Sequence, residues 1–214
     1  MGAVILVTAC FPIESRWITR RSDVRIVQTA MGNASAVSLD KLGDAASDAA
    51  LLIATGFAGG VDPSIEHADL TLARTVRHRG EEIEIDAQLL DRARRALADR
   101  ADALHVGACE SADRVLGTDE KRDLAAEGVI SVDMESGPLA RWAAARGIPF
   151  LVLRVVLDPA GDELPFSDDR PFWMSVLRHP VTALRTARHA AGAGRSLGQA
   201  VDTVIDGLTG GRDG

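Results

Sequence analysis

The sequence predicts a three-layer α/β sandwich. Two observations carry this: strongly apolar, Val/Ile-rich runs recur at wide intervals, and segments with helical periodicity lie between them. A third concerns its extent. No internal repeat and no long polar linker divides the 214 residues, so residues 1–214 read as one domain.

The first strand is Ala3–Ala9, a continuous apolar run of the kind buried on both faces. Val24–Thr29, Leu51–Ala54, Leu70–Val76, Leu104–Val106, Val129–Val132 and Phe150–Val156 follow as further strands. Asn33–Ala50 is predicted helical, with Ala36, Val37, Leu39 and Leu42 suitably spaced and Asn33 as N-cap. In Asp86–Arg100, Leu89, Leu90, Ala93 and Leu97 form one stripe. Glu135–Arg146 is Ala-rich, with Gly147 placed to end it. Residues 159–171 carry three prolines and a glycine and read as a loop. Residues 172–208 read as C-terminal helices, with Pro180 expected to kink them and Gly192 and Gly194 to separate off a last helix, Leu197–Leu208.

Composition narrows the function classes. The net charge of −7 lacks the basic field of a nucleic-acid binder. No apolar run reaches the ~18 residues of a membrane span, and the apolar start lacks a basic leader and reads as a strand. Cys10 and Cys109 make no metal-type spacing, and the five histidines form no zinc pattern. A cytoplasmic protein without metal or organic cofactor is therefore expected.

Candidate chemistry lies at strand ends, where ligands of open α/β sheets gather. Glu14, just past the first strand in CFPIE, suits either a general base or a helix-start acid. Ala54–Gly60, ATGFAGG, reads as a glycine-rich turn; it lacks the Gly-Lys-Ser/Thr of a P-loop and opens no Rossmann helix. Glu135 and Asp158 each end an apolar strand, and buried carboxylates are costly unless paired or used. Arg154, within the last strand, suits an ion pair.

Taken together, VDMES-x-x-L-A followed by GIPF and RVVLD resembles the purine nucleoside phosphorylase and nucleosidase superfamily, in particular its methylthioadenosine/S-adenosylhomocysteine nucleosidase branch. The supporting segments CFPIE, TAMGNASA, ATGFAGG, VGACESADRVLGTDEK, SVDMESGPLA and GIPFLVLRVVLD spread over residues 1–158. The chain is also similar to hopanoid-associated, phosphorylase-like proteins thought to act on adenosylhopane.

The resemblance implies a mixed central sheet and cleavage of the N-glycosidic bond of a 5′-substituted adenosine, releasing adenine. It implies Asp158 as the acid that protonates purine N7, held protonated by burial or a neighbouring acid, and Glu14 as the acid that activates water. Glu135 would accept from the ribose hydroxyls, with Met134 packed on the sugar. Phe57, Ala58, Gly59 and Arg154 would border the substrate, and Ala112–Leu116, including Asp113, Val115 and Leu116, would meet the base.

Phosphorylases of this type carry an Arg where this chain has Ala54, and a hydroxyl residue where it has Phe57. Water is therefore expected over phosphate, with phosphorolysis, or a silent nucleoside-binding protein, as the alternatives. Leu157 stands where nucleosidases commonly have Ser, which makes the acid's pocket more apolar. Family members oligomerise, so a homodimer is expected. The stripe Phe172, Trp173, Val176, Leu177, Val181 and Leu184, flanked by Arg178, Arg185 and Arg188, suits either a helix packed on the sheet or an interfacial helix touching a membrane.

Overall fold

A computed structural model of the chain describes residues 4–41, 43, 46, 48–161 and 180–210, with side chains of the last segment described from 189 onward. Among the described residues eight strands form one mixed sheet: β1 (Val4–Ala9), β2 (Val24–Gln28), β3 (Ala49–Gly60), β4 (Leu70–His78), β5 (Glu81–Glu84), β6 (Leu104–Ser111), β7 (Val129–Asp133) and β8 (Phe150–Asp158). The helices are α1 (Pro12–Ser15), α2 (Ala34–Asp40), α3 (Ala87–Ala96), α4 (Thr118–Ala126), α5 (Ser136–Ala144) and α6 (Pro180–Thr209). A 3-10 turn, Ala98–Ala103, follows α3.

The pairing gives the sheet its shape. β1 lies between β2 and β3, parallel to both. β3 then pairs parallel with β8 through most of its length and antiparallel with β7 at Gly59 and Gly60. β8 runs antiparallel to β4, β4 parallel to β6, and β6 parallel to β7. The sequence β3–β8–β4–β6–β7 therefore returns to β3, and five strands close on one another. The predicted α/β class with a mixed sheet holds.

β3 is the element the sequence resolves least well. The predicted strand stops at Ala54, yet β3 continues to Gly60, so ATGFAGG is strand and not turn. The strand can bend there because Gly56 has a φ of +143° and the register with β8 shifts between Ala58 and Gly59. Its glycines mark close approach of other groups. They do not mark a reversal of the chain.

Two further expectations change at helix ends. The helix predicted over Asn33–Ala50 stops at Asp40, and Ala49 already belongs to β3. Asn33 occupies the N-cap position but makes no cap bond; its amide instead donates to Asp113 at 2.9 Å. By contrast, Asp86 caps α3 by accepting from the Leu89 N–H at 2.8 Å. Gly147, with a φ of +64°, ends the turn after α5 as expected. β5 and α4 are elements the sequence reading did not contain.

α6 passes straight through Gly192 and Gly194, contrary to the expected break. Its described residues run from Pro180 to Thr209, so the kink expected at Pro180 lies at the edge of what is described. Three of its glycines are contact points. A Cβ on Gly194 would lie 2.5 Å from the Ile13 carbonyl oxygen, one on Gly198 2.6 Å from Trp17 Cβ, and one on Gly207 2.6 Å from Ala96 Cβ. Missing side chains thus let α6 lie on α1 and α3. The stripe Phe172–Leu184 and the loop beyond Gly161 fall outside the residues, or the side chains, that are described.

The main core is built from inward residues of β1, β3, β4 and β8, with Leu6, Leu52, Ile53, Leu72, Leu151 and Leu153 fully buried. α6 adds Leu197, Val201, Val204 and Ile205 to it. α5 ties to α2 by Trp142 Nε1 and Arg146 Nη2, which donate to one Asp40 oxygen at 2.7 and 2.8 Å.

The glycine contacts make a test. Alanine is favoured over glycine in a helix by about 1 kcal/mol. Gly198→Ala should nevertheless destabilise the protein by about 2 kcal/mol, because the added methyl overpacks against Trp17. Urea denaturation measures this; a gain in stability would show that α6 does not seat on α1.

Candidate active site

Four acids converge where β1, β7 and β8 end beside the glycine stretch of β3. Glu14 stands on the one-turn helix α1, immediately after β1. Its Oε2 accepts from the backbone N–H groups of Cys10 at 2.8 Å and Phe11 at 2.7 Å, and its Oε1 accepts from Phe57 at 2.8 Å. The helix-start reading is met, since Glu14 caps its own helix, and the carboxylate is buried, only 2% exposed. Burial raises its pKa above the ordinary glutamate value, against the pull of those three N–H groups.

Glu135 follows β7 at the start of α5. Its Oε1 accepts from the Gly32 N–H at 3.0 Å, which binds the β2–α2 loop to the site. Its pKa is also raised, first by burial; Arg154 opposes the rise and Asp133 adds to it. Cys10 reports how close the acids are. Burial, then Glu135, then Glu14 push its thiol up to about 12.

Arg154 lies beneath these acids. At 1% exposure it faces the core side of the site, and no open face of it is left for a ligand. Its Nε forms an ion pair with Asp133 Oδ2 at 2.8 Å, at an angle short of a hydrogen bond. Nη1 donates to the Thr55 carbonyl at 3.0 Å and Nη2 to Ser136 Oγ at 2.9 Å; Glu135 Oε2 is 4.0 Å from Nη1. Burial disfavours its charge, but Asp133 and Glu135 outweigh that and its pKa is raised. Asp133 in turn accepts from the backbone N–H groups of Glu135 at 3.2 Å and Ser136 at 3.0 Å, and from the Ser136 hydroxyl. The expected structural ion pair for Arg154 is thus present, and its partner is Asp133.

Asp158 ends β8. Its Oδ2 accepts from Lys121 Nζ at 2.6 Å, and both side chains are buried. The resemblance implied burial or a neighbouring acid for Asp158; it is buried, and a cation from α4 lies against it. Leu157, before it, is half-buried. Gly59 permits the arrangement, since a Cβ there would lie 3.0 Å from both Asp158 Oδ2 and Lys121 Nζ. Gly56 does the same for the other acid: its Cβ would lie 2.7 Å from Arg154 Nη1 and 2.9 Å from Glu14 Oε1. Glu14 and Asp158 therefore border two points of β3 three residues apart, about 10 Å at strand spacing.

The remaining candidates divide. Ala58 is buried between those glycines. Phe57 packs on the main core and offers the site its N–H. Met134 is half-buried beside Glu135. Leu116 packs on a small second core of Val61, Val129 and Val132, while Val115 is exposed. Asp113 is exposed and held by Arg79 and Asn33.

Sequence reading missed three contributors: Lys121, Asp133 and Ser136. Lys121 did carry a signal, being one of two lysines in a chain whose other 22 basic residues are arginine.

Comparison with known proteins places the chain among relatives of the same fold. A family model described as the phosphorylase superfamily matches residues 17–185. The 5′-methylthioadenosine/S-adenosylhomocysteine nucleosidase of an Exiguobacterium species is 28% identical over 141 residues, 56% of this chain and 60% of that protein. The chain thus spans about three-fifths of that relative's length. Among solved structures, the corresponding nucleosidase of Streptococcus pneumoniae, bound to a transition-state inhibitor, superposes with a TM-score of 0.74 at 19% identity, covering 95% of this chain and 99% of that one. An S-adenosylhomocysteine nucleosidase from Streptococcus pyogenes, in complex with 5-methylthiotubericidin, gives 0.75 at 19%, covering 97% and 98%.

Arg154→Met should cost about 3–5 kcal/mol, because it strands Asp133 as an uncompensated buried charge. Thermal and urea unfolding measure the loss; near-wild-type stability would show that the cluster does not depend on its guanidinium.

Proposed function

The chain belongs to the phosphorylase superfamily, and from that premise we propose that it is a nucleosidase. It hydrolyses the N-glycosidic bond of a 5′-substituted adenosine and releases adenine. The observation that carries the reading is the placement of two buried acids, Glu14 and Asp158, against Gly56 and Gly59 of one strand, with Glu135 beside them.

In this reading Asp158 delivers a proton to purine N7 as the bond to C1′ lengthens. Glu135 accepts from the ribose hydroxyls and stabilises the positive charge that develops on the sugar. Met134 packs on the ribose, and Ala58, Gly59, Val115 and Leu116 border the nucleoside. Glu14, held rigid by three N–H groups, takes a proton from the attacking water. Arg154 serves as a positioning residue from below.

Water is favoured over phosphate by the local charge. A phosphate dianion must be met by cations. Arg154 is committed to Asp133, Thr55 and Ser136. Ala54 is buried in β3. Arg16 and Arg20 are exposed, and Arg21 pairs with Asp23 and Asp206. Two buried carboxylates would repel a second anion.

The 5′ substituent of this proposal is methylthio-like or the hopane chain of adenosylhopane. A homodimer belongs to the reading too. Phe11, Met31 and Val115, exposed large apolar residues, follow β1, β2 and β6, and Val37 lies on α2. Light scattering should return twice the 22.6 kDa chain mass. The two cysteines are both free, which suits a reducing, cytoplasmic setting. Among the described residues no helix is long and apolar enough to cross a membrane.

The deciding experiment follows free adenine by chromatography from methylthioadenosine and adenosylhopane, with and without phosphate. Release without phosphate is expected; release only with phosphate would make the protein a phosphorylase. Asp158→Asn should lower kcat by about 100-fold or more. Full activity in that variant would remove Asp158 from the acid role.

Glu14 supplies a pH test. A base works deprotonated, and burial raises its pKa above the ordinary value of 4.5. The acidic limb of kcat/KM should therefore rise at a pH above 4.5, and Glu14→Gln should abolish activity. A limb at the ordinary value would argue that Glu14 is not the base.

A further inference from the structure

We propose that Asp113 is a positioning residue, the clasp that holds the loop after β6 against the loop after β2 so that base and sugar meet a preordered site. This rests on the reading of residues 112–116 as the border of the purine and of Glu135 as the partner of the ribose. Three observations lead to it.

The first is how fully Asp113 is engaged. Its Oδ1 accepts from Asn33 Nδ2 at 2.9 Å and from Arg79 Nη2 at 2.9 Å, and its Oδ2 accepts from Arg79 Nε at 3.0 Å. The guanidinium thus grips both oxygens, an arrangement that adds geometric specificity to the charge. A lone exposed ion pair contributes little to stability. This carboxylate does something else: it joins the β2–α2 loop, the β4–β5 turn and the β6–α4 loop, with partners 80 and 34 residues away in the chain.

The second is that both partners depart from local preference to reach it. Asn33 stands at the N-cap of α2 and makes no cap bond, although asparagine is among the best N-caps. Arg79 has a φ of +52°, and Gly80 after it a φ of +78°, in the two-residue turn between β4 and β5. Positive φ at both central residues is the type I′ arrangement, which favours Asn, Asp and Gly. An arginine is strained at that position. Neither side chain is explained by its own segment, and Asp113 is the partner they share.

The third is a closed circuit. The Gly32 N–H donates to Glu135 Oε1 at 3.0 Å, and the Ala112 N–H donates to the Asp133 carbonyl at 2.8 Å. Asn33 and Asp113 are the next residues along those two loops. Their bond closes a circuit through Asp133, Met134 and Glu135, the segment read as the sugar site. The root of the β6–α4 loop is also held from β4, where His78 Nδ1 lies 2.6 Å from the Ser111 carbonyl. Removing Asp113 leaves each loop its own bond to the Asp133–Glu135 segment and removes the bond between them.

Such a clasp acts on binding. Both Asp113 oxygens are occupied by protein donors, so its part is to keep the two loops in one arrangement before the nucleoside arrives. A loop that must be ordered on binding lowers apparent affinity by the fraction of time it is already in place. The chemical step, once substrate is bound, keeps its rate.

The experiment measures adenine release from methylthioadenosine by wild type, Asp113→Ala, Asn33→Ala and Arg79→Asn, with urea denaturation of each. Asp113→Ala should raise KM about 10-fold with kcat changed by no more than about 2-fold, as for a loop in place roughly one-tenth of the time. Asn33→Ala should raise KM by about 3-fold on the same basis. Arg79→Asn suits positive φ, so it should raise KM without loss of stability, which a merely structural arginine would not do. Added to Asp113→Ala it should raise KM no further, because both act through one carboxylate.

An unchanged KM in Asp113→Ala, a loss confined to kcat, or KM effects of Asp113→Ala and Arg79→Asn that simply multiply would overturn the clasp. If wild type releases no adenine, the nucleosidase reading falls, and calorimetric binding of adenine then judges the clasp by itself. Binding about 10-fold weaker in Asp113→Ala than in wild type would support it; equal binding, or none in wild type, would overturn it.

Discussion

One buried guanidinium holds the site in place. Arg154 sits within a strand that is otherwise apolar up to its terminal Asp158, and a charge there is tolerated only because Asp133 neutralises it and Thr55 and Ser136 take its other N–H groups. Those partners come from β7, β3 and the start of α5. The same contacts that satisfy the arginine therefore fix the ends of three elements relative to β8. Glu135 is carried between Asp133 and Ser136, and it has little freedom once they are bound.

The carboxylates outnumber that cation. Glu14, Asp133 and Glu135 surround a single Arg154, so burial is only partly compensated, and the pKa values of Glu14 and Glu135 rise. A site that holds this excess of negative charge is poorly suited to a phosphate dianion and well suited to a sugar that becomes positive. The second pair, Lys121 with Asp158, lies at Gly59, three residues along β3 from the Gly56 that Glu14 and Arg154 approach. The surroundings of Glu14 and Asp158 thus differ in local charge.

Much of this was legible in order along the chain. Apolar Val/Ile runs marked β1, β4, β7 and β8, because strands buried on both faces have no polar alternation to disguise them. Glu14, Glu135 and Asp158 stood out as acids directly after such runs, and the DMES and RVVLD segments pointed to a superfamily that the family match then showed. The glycines were misread. In ATGFAGG and in α6 they looked like breakers, yet they are places where other groups come within contact distance: acids at Gly56 and Gly59, Ile13 of α1 at Gly194 and Trp17 just after it at Gly198. Local propensity cannot tell these cases apart, since the reason for the missing side chain is a neighbour distant in sequence.

The sequence by itself determined the class of fold, the strand ends that carry acids, and the choice of residues too small to block them. Each is a property of a short stretch: hydrophobic period, residue type, position after a run. The tertiary structure decided which of those acids meet, and with what partners. Closure of β3, β8, β4, β6 and β7 brings α4 against the end of β8, which places Lys121 on Asp158 across 37 residues of chain. The same closure puts Arg154 under Glu135 and out of reach of solvent. Charge pairing at that range depends on strand order and register, and these are set by the packing of the whole sheet.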